Sequence, residues 1–396
     1  MGRFLSMALF FGVGTLLVGS VHRWLWVRLV RDPELPGMWR HLGTALVVAL
    51  AAFTIAAPAV ARLSRSDGAR TVATAAFTWM GLLFVLMLAL SGTELLRGAM
   101  GLWRRFMGGA DEALDPERRL FFARALGGGA SLGAVAAGAA AFRSANRAPK
   151  LVSVEVPIAD LPPALDGFRI VQISDLHVSA TITRPYVEQV VAMANAQAPD
   201  MVALTGDLMD GSVPMLRDDM APIADLRSRH GSFFVTGNHE YYSGADAWLA
   251  HFRSLGVRTL RNERVQVEHD GAALDVLGVD DWTAGRFGGD HGPDLARAAA
   301  GRDRSVPSLL LAHQPKQIDE AAAHGISLTL SGHTHGGQIW PFGYLVKLVQ
   351  PYVAGLHWHT GASAIYVSRG TGYWGPPMRL AAPHELTLLT LRRKVA

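Results

Sequence analysis

The chain has 396 residues, 37 Lys and Arg against 33 Asp and Glu for a formal net charge of +4, and half of its residues are hydrophobic. It contains no cysteine, which excludes disulfides and thiolate metal sites and leaves nitrogen and oxygen as the only strong metal donors. The basic excess gathers beside apolar stretches, at Arg104, Arg105, Arg118 and Arg119 for example, where it reports membrane flanks before nucleic-acid binding.

Four stretches carry no charged side chain: residues 4–21, 41–61, 71–93 and 125–142. A helix rises about 1.5 Å per residue, so ~20 apolar residues cross a hydrocarbon core of about 30 Å. The first three meet that requirement. The fourth is interrupted by Gly127, Gly128, Gly129, Gly133 and Gly138, so the spacing predicts an all-α transmembrane region of three to four helices within residues 1–148. The loops after the first and third stretches hold ten Lys and Arg against seven on the other side, which places them in the cytoplasm and, with four spans, the following domain outside. The run Arg118-Arg119-Leu120-Phe121-Phe122 resembles a twin-arginine export signal placed internally; an ordinary basic helix flank is the alternative.

Residues 143–151 read as a polar linker, and a second domain is expected over 149–396. Residues 170–173, 201–204, 232–235, 308–311 and 327–330 are short apolar runs bounded by polar residues, the pattern of buried strands. Val187, Val190, Val191 and Ala194 share one helical face, as do Trp248, Phe252 and Leu255. Strands alternating with helices predict a layered α/β domain. Residues 284–292, rich in glycine, read as a flexible surface loop.

Each of the five predicted strands is followed by an acid, an amide or an imidazole: Asp175 and His177; Asp207; Asn238 and His239; His313; His333 and His335. Strand ends of an α/β sheet line one crevice, so these residues can converge there. If the segments stay extended, Asp175 and His177 project from one face, and so do His333 and His335. Singly each is a weak signal, since Gly-Asp is a turn dipeptide and Asp-x-His often caps a turn. Together they form a metal-ligand set: imidazole suits Zn, Fe and Mn, and a carboxylate such as Asp207 can bridge two cations. A water shared by such cations, as a metal-bridging hydroxide, can attack phosphorus near neutral pH.

At this point the motifs Asp175-Leu176-His177, Gly206-Asp207-Leu208-Met209-Asp210, Gly237-Asn238-His239-Glu240, His313 and Gly332-His333-Thr334-His335-Gly336-Gly337-Gln338 resemble the calcineurin-like metallophosphoesterases, in particular their membrane-associated bacterial branch. The resemblance implies a four-layer α/β/β/α sandwich. It implies two divalent metal ions (Mn, Fe or Zn), one held by Asp175, His177, Asp207 and His335, the other by Asp207, Asn238, His313 and His333. It makes His239 a catalytic residue facing the phosphate rather than a ligand. The expected activity is metal-dependent hydrolysis of a phosphodiester, phosphomonoester or pyrophosphate at a bacterial inner membrane, on the extracytoplasmic face and on a lipid-linked substrate. A metal-dependent nuclease and a membrane sensor with a non-catalytic metal site are the alternatives.

Arg369 and Arg379 read as structural or surface arginines, with substrate contact or domain closure the other possibility, and Asp280 and Asp281 as a solvated turn rather than ligand-orienting acids. Residues 339–349 hold Ile339, Trp340, Phe342, Tyr344, Leu345, Val346, Leu348 and Val349 with Lys347 as the one charge. That segment is either core or a patch resting among lipid headgroups.

Overall fold

A computed structural model describes residues 2–63, 66–107 and 115–394. Arg65, counted above in the charge balance, lies outside them, and the side chains of Arg3, Arg62 and Arg104 are likewise not described.

The apolar stretches fold as four helices, α1 (Gly2–Trp26), α2 (Gly37–Leu63), α3 (Asp67–Phe106) and α4 (Pro116–Ala145). Among the described residues three segments are long and apolar enough to cross a membrane: Gly37–Ala56, Gly68–Trp103 and Pro116–Ala145, with mean hydropathy 1.4, 2.1 and 1.5. The remaining expected span, residues 4–21, lies within α1. Ser66 caps α3 by accepting from the Ala69 amide at 3.2 Å, satisfying one of the donors a helix start leaves open. Many apolar side chains of these helices are exposed, Leu16 and Leu46 among them, an arrangement suited to lipid and not to water.

The chain divides into two compact units, one of residues 1–143 with 375–378 and one of residues 144–374 with 379–396. The second unit holds twelve described strands: β1 (Lys150–Ile158), β2 (Arg169–Ile173), β3 (Met201–Leu204), β4 (Ser232–Phe234), β5 (Arg258–Thr259), β6 (Glu263–His269), β7 (Ala272–Gly278), β8 (Ser308–Leu311), β9 (Leu328–Ser331), β10 (Gly355–Trp358), β11 (Ala364–Val367) and β12 (Glu385–Arg393). They form two six-stranded sheets, ordered β1-β12-β2-β3-β4-β5 and β10-β11-β9-β8-β7-β6. In the first, β2 to β5 run parallel and β12 runs antiparallel to β2. In the second, β7, β8, β9 and β11 run parallel, with antiparallel β6 and β10 at the edges.

Three apolar layers hold these sheets. Val171, Ile173, Val202, Leu204 and Phe234 pack against α5 (Arg184–Asn195), α6 (Val213–Met220) and α7 (Ala245–Ser254), which contribute Val187, Val190, Leu216, Trp248 and Phe252. The opposite faces, Ile170, Met201, Ala203 and Phe233, meet Val276, Leu309, Leu311, Leu328 and Leu330 of the second sheet. Leu277, Leu310 and Ile365 on its far side pack on Leu295, Ile318 and Ala321 of short helices. The result is the α/β/β/α sandwich.

The two sheets are also pinned by a buried amide: Gln172 Nε2 donates to Thr205 Oγ1 at 2.9 Å and to the Ser331 carbonyl of β9 at 3.0 Å. Asp280 and Asp281 are not a solvated turn. Both are buried; Asp280 pairs with both ends of the Arg261 guanidinium, and Asp281 accepts from Thr283 and Gln314. A buried carboxylate needs such donors, and here they come from residues far along the chain. Residues 284–292 are tied to this cluster through Arg261 on the Asp290 carbonyl and Asn262 on that of Gly292.

Candidate metal centre

All five expected strands exist, and their carboxyl ends carry the predicted residues: β2 leads to Asp175, β3 to Asp207, β4 to Asn238, β8 to His313 and β9 to His333 and His335. The segments are not extended. Asp175, His177, Asp207, His333 and His335 all have φ between 50° and 70°, so alternation along a strand does not aim these side chains. They are turned inward by left-handed backbone, which costs a non-glycine residue about 1–3 kcal/mol and persists only where surrounding structure holds it. The hold is visible: the amides of Asp175 and His177 donate to the carbonyls of Gly206 and Asp207 at 3.0 and 3.1 Å.

Among the described residues three groups of ligand-type atoms result, one from Asp175, His177 and His335, one from Asp207, His313 and His333 and one from His177, Asp210 and His239, the atoms of each lying within 4.8 Å of one another. In the first, His335 Nε2 is 3.1 Å from His177 Nε2 and 3.4 Å from Asp175 Oδ1. Asp207 lies between the groups, with Oδ2 at 3.9 Å from His177 Nε2 and 3.1 Å from His313 Nε2. Its other oxygen accepts from the His239 amide at 2.8 Å. Asn238 is buried between Gly237 and His239, both of which approach Asp207.

Neighbours set the free lone pairs. His313 Nδ1 donates to the Thr205 carbonyl at 2.8 Å, leaving Nε2 to face Asp207. Glu240, also buried, accepts from the amides of Asp207, Leu208 and Gly237 at 2.9, 2.8 and 2.5 Å and so fixes the turns carrying Asp207 and Asn238. Two buried polar atoms of the expected ligands, Asp175 Oδ2 and Asn238 Oδ1, make no hydrogen bond. Buried polar atoms in native proteins are rarely left so. Clustered nitrogen and oxygen donors, two of them with an unpartnered atom, fit divalent cations.

The electrostatics divide the set: burial opposes the charge of His313, yet Asp207 and Asp175 hold it well above its ordinary value, and burial raises the Asp175 carboxyl. Burial opposes the charge of Asp207, yet the His313 and His239 imidazoles hold its carboxyl well below the usual carboxylate range. Burial, and then the charge of His313, push His333 down to about 3, keeping it neutral as a ligand must be. Partial burial opposes the charge of His239, but Asp207 and a hydrogen bond to Asp210 push it up to about 9. These carboxylates favour the imidazolium form, a group suited to a phosphoryl oxygen or a leaving group.

Asp210 is a residue sequence reasoning passed over. Its Oδ1 accepts from His177 Nδ1 at 3.0 Å and from His239 Nδ1 at 2.6 Å, fixing both rings with Nε2 toward the site. Its signal was its place three residues after Asp207. Arg379 was read as surface or structural, and the structure buries it: Nη1 donates to the carbonyls of His335 and Arg369 at 2.7 and 2.8 Å, and Nη2 lies 3.1 Å from His335 Nδ1. Arg369 pairs instead with Glu385 at 2.7 Å.

Around His239 stands an aromatic rim. Tyr242 and Trp374, both exposed, have ring centroids 5.2 and 5.8 Å from its imidazole. Gln338 ties Trp374 in place through both its amide and its carbonyl, at 2.9 and 2.7 Å.

Residues 168–337 match the model of the calcineurin-like phosphoesterase family. The chain is 39% identical over 332 residues to a bovine (Bos taurus) transmembrane protein with metallophosphoesterase domain, covering 80% of this chain and 73% of that one. It is 43% identical over 227 residues to a metallophosphoesterase of Helicobacter pylori strain J99, covering 57% of this chain and 60% of the other. A zebrafish (Danio rerio) transmembrane protein with metallophosphoesterase domain is 38% identical over 258 residues, covering 63% and 59%. The relatives thus include vertebrate as well as bacterial proteins, so the likeness is wider than a bacterial branch. With this similarity, the two-sheet sandwich and the ligand groups, the chain belongs to the calcineurin-like metallophosphoesterases, metal-dependent hydrolases of phosphoric esters.

Proposed function

We propose that this protein is a membrane-anchored phosphoesterase whose residues 1–148 hold it in a bacterial inner membrane and whose residues 149–396 hydrolyse a lipid-linked phosphodiester, phosphomonoester or pyrophosphate on the extracytoplasmic face. The observation that carries the site is the gathering of six ligand-type side chains from four strand ends, with buried Asn238 of a fifth beside them, Asp175 Oδ2 and Asn238 Oδ1 making no hydrogen bond. Asp175, His177, Asp207 and His335 would hold one divalent cation, and Asp207, Asn238, His313 and His333 the other. Mn, Fe and Zn all accept these donors, and availability selects among them. When bound, the cations neutralise the phosphoryl oxygens and lower the proton affinity of water to the neutral range.

The chain's own side chains do the rest. Asp210 keeps His239 oriented, and the His239 imidazolium donates to the phosphate or the departing oxygen. The exposed rim of Tyr242 and Trp374 offers an apolar approach to that imidazole, which supports a substrate with a greasy portion. The outward balance of basic residues supports the extracytoplasmic placement.

The test uses purified full-length protein in nanodiscs with added Mn, assayed on an aryl phosphodiester, an aryl phosphomonoester, a phospholipid, a lipid pyrophosphate and single-stranded DNA. Turnover of a lipid-borne phosphate, lowered at least about a hundredfold by His239→Ala, is the expected result. Cleavage of DNA alone would replace this reading with a nuclease. Absence of any turnover by metal-loaded protein would replace it with a ligand-binding sensor.

A further inference from the structure

Residues 340–349 leave the turn that carries His335 and return to the body of the domain at Gln350. Trp340, Phe342, Tyr344, Leu345, Leu348 and Val349 are all exposed, Tyr344 by 64% and Leu348 by 79%. Ten residues so apolar, with Lys347 their one charge, are not a normal solvent loop.

The segment is built and not loose. Its entry is fixed by Ile339, buried and bridged to Leu380, with the Trp340 amide on the Leu380 carbonyl at 3.0 Å. Its exit is fixed by Gln350, buried with its amide toward Gln314 at 3.3 Å. Its middle folds back onto the ligand turn, for a Cβ at Gly337 would collide with the Gly343 backbone. A short helix, Gly343–Val346, organises the tip. The amides of Tyr344, Leu345, Val346, Lys347, Leu348, Val349 and Gln350 all donate to carbonyls within the segment, at 2.9–3.2 Å. A lobe whose side chains are apolar and whose backbone donors are satisfied internally meets the two conditions for entering a bilayer interface.

We infer that residues 340–349 are a membrane-docking lobe that rests in the headgroup region of the bilayer holding this protein's own helices, and brings the turn of His335 to the lipid surface. The occupant is argued from the chain. Four residues, 146–149, separate the end of α4 from β1, a tether reaching at most about 14 Å, so the domain cannot leave the membrane surface. The mixture of Trp, Tyr, Leu and one Lys is the composition that settles at that depth. The inference deepens the proposed function and rests on it in one respect: the phosphates delivered there are lipid-borne.

The absence of native cysteine makes the test direct. Leu348→Cys and Val349→Cys, each carrying a nitroxide in full-length protein in nanodiscs, are compared with Ser305→Cys at an exposed turn of the same domain. The lobe labels should show an oxygen-to-nickel-complex accessibility ratio roughly tenfold above that of the control, the signature of immersion. Labels as open to the nickel complex as the control overturn the inference. So do labels shielded from both reagents, which would mark the surface as covered by a second copy or another protein. A kinetic arm separates the two proposals: Leu348→Glu should lower kcat/KM on a phospholipid in the disc about tenfold and leave the aryl phosphodiester unaffected. Immersed labels on a protein that turns over no lipid phosphate would refute the lipid substrate and keep the lobe.

Discussion

Asp210 shows how one carboxylate can orient two functions. By accepting from His177 and His239 through the same oxygen, it couples a proposed metal ligand to the proposed acid. Asp210→Asn should lower kcat on an aryl phosphodiester, and the affinity for a divalent cation, by about ten- to a hundredfold, the usual range for such supporting groups; an unaltered kcat at saturating metal would end that assignment. Arg379 works by clamping. It is fully buried without a side-chain carboxylate partner and donates to the carbonyls of Gly372, His335, Arg369 and Ala382. Arg379→Met orphans those acceptors at once, at about 1 kcal/mol or more each, so denaturant unfolding should report a loss of about 3 kcal/mol or more. His384 is buried beside Tyr186, and burial followed by the charge of Arg379 pushes it from 6.5 down to about 4. The fold therefore favours neutral His384, and its contribution, present above pH 6.5, is lost as pH falls toward 4. Linkage sets that loss at up to about 3 kcal/mol, measurable as a pH-dependent urea midpoint that His384→Gln should flatten. The ligand types were legible in the sequence because each follows an apolar run. Asp210 and Arg379 were not, because their meaning lies in which ring nitrogen or carbonyl they meet.

At the level of elements, the turns after the strands matter more than the strands. Glycine at 332 is required by space: a Cβ there would overlap Ser174 Oγ and Asp175 Oδ2, while its amide donates to the His313 carbonyl at 2.9 Å. Gly332→Ala should thus push the β9 turn away from Asp175 and lower divalent-metal occupancy at least about tenfold, checked by metal analysis on folded protein; full occupancy would show that the turn can yield. β2, β3, β4, β8 and β9 were readable from sequence since strands buried on both faces are continuous apolar runs. β1 and β6 mix exposed and buried positions, β10 has no buried one, and all three sit at sheet edges, so their pattern was too weak to find. The extended geometry expected for Asp175-x-His177 failed for another reason. Left-handed backbone at non-glycine residues is imposed by tertiary contacts, and local sequence carries little trace of it.

For the molecule as a whole, the division into helical and α/β units was visible in the shift from uncharged stretches to alternating strands. It implies separate responses to metal removal. A cation that binds only the folded site stabilises it by about 2.7 kcal/mol at a hundred times its dissociation constant. Chelation should therefore lower the unfolding temperature of the α/β unit while leaving the helical signal in place; a single unshifted transition would contradict the metal assignment. The sheet order bears on biosynthesis as well. β12, made after the other eleven described strands, lies between β1 and β2 and pairs with β1 along nine residues. Until it arrives, the first and second strands have no common neighbour. The first sheet therefore closes only after β12 has been made, later than every helical stretch and strand that precedes it along the chain.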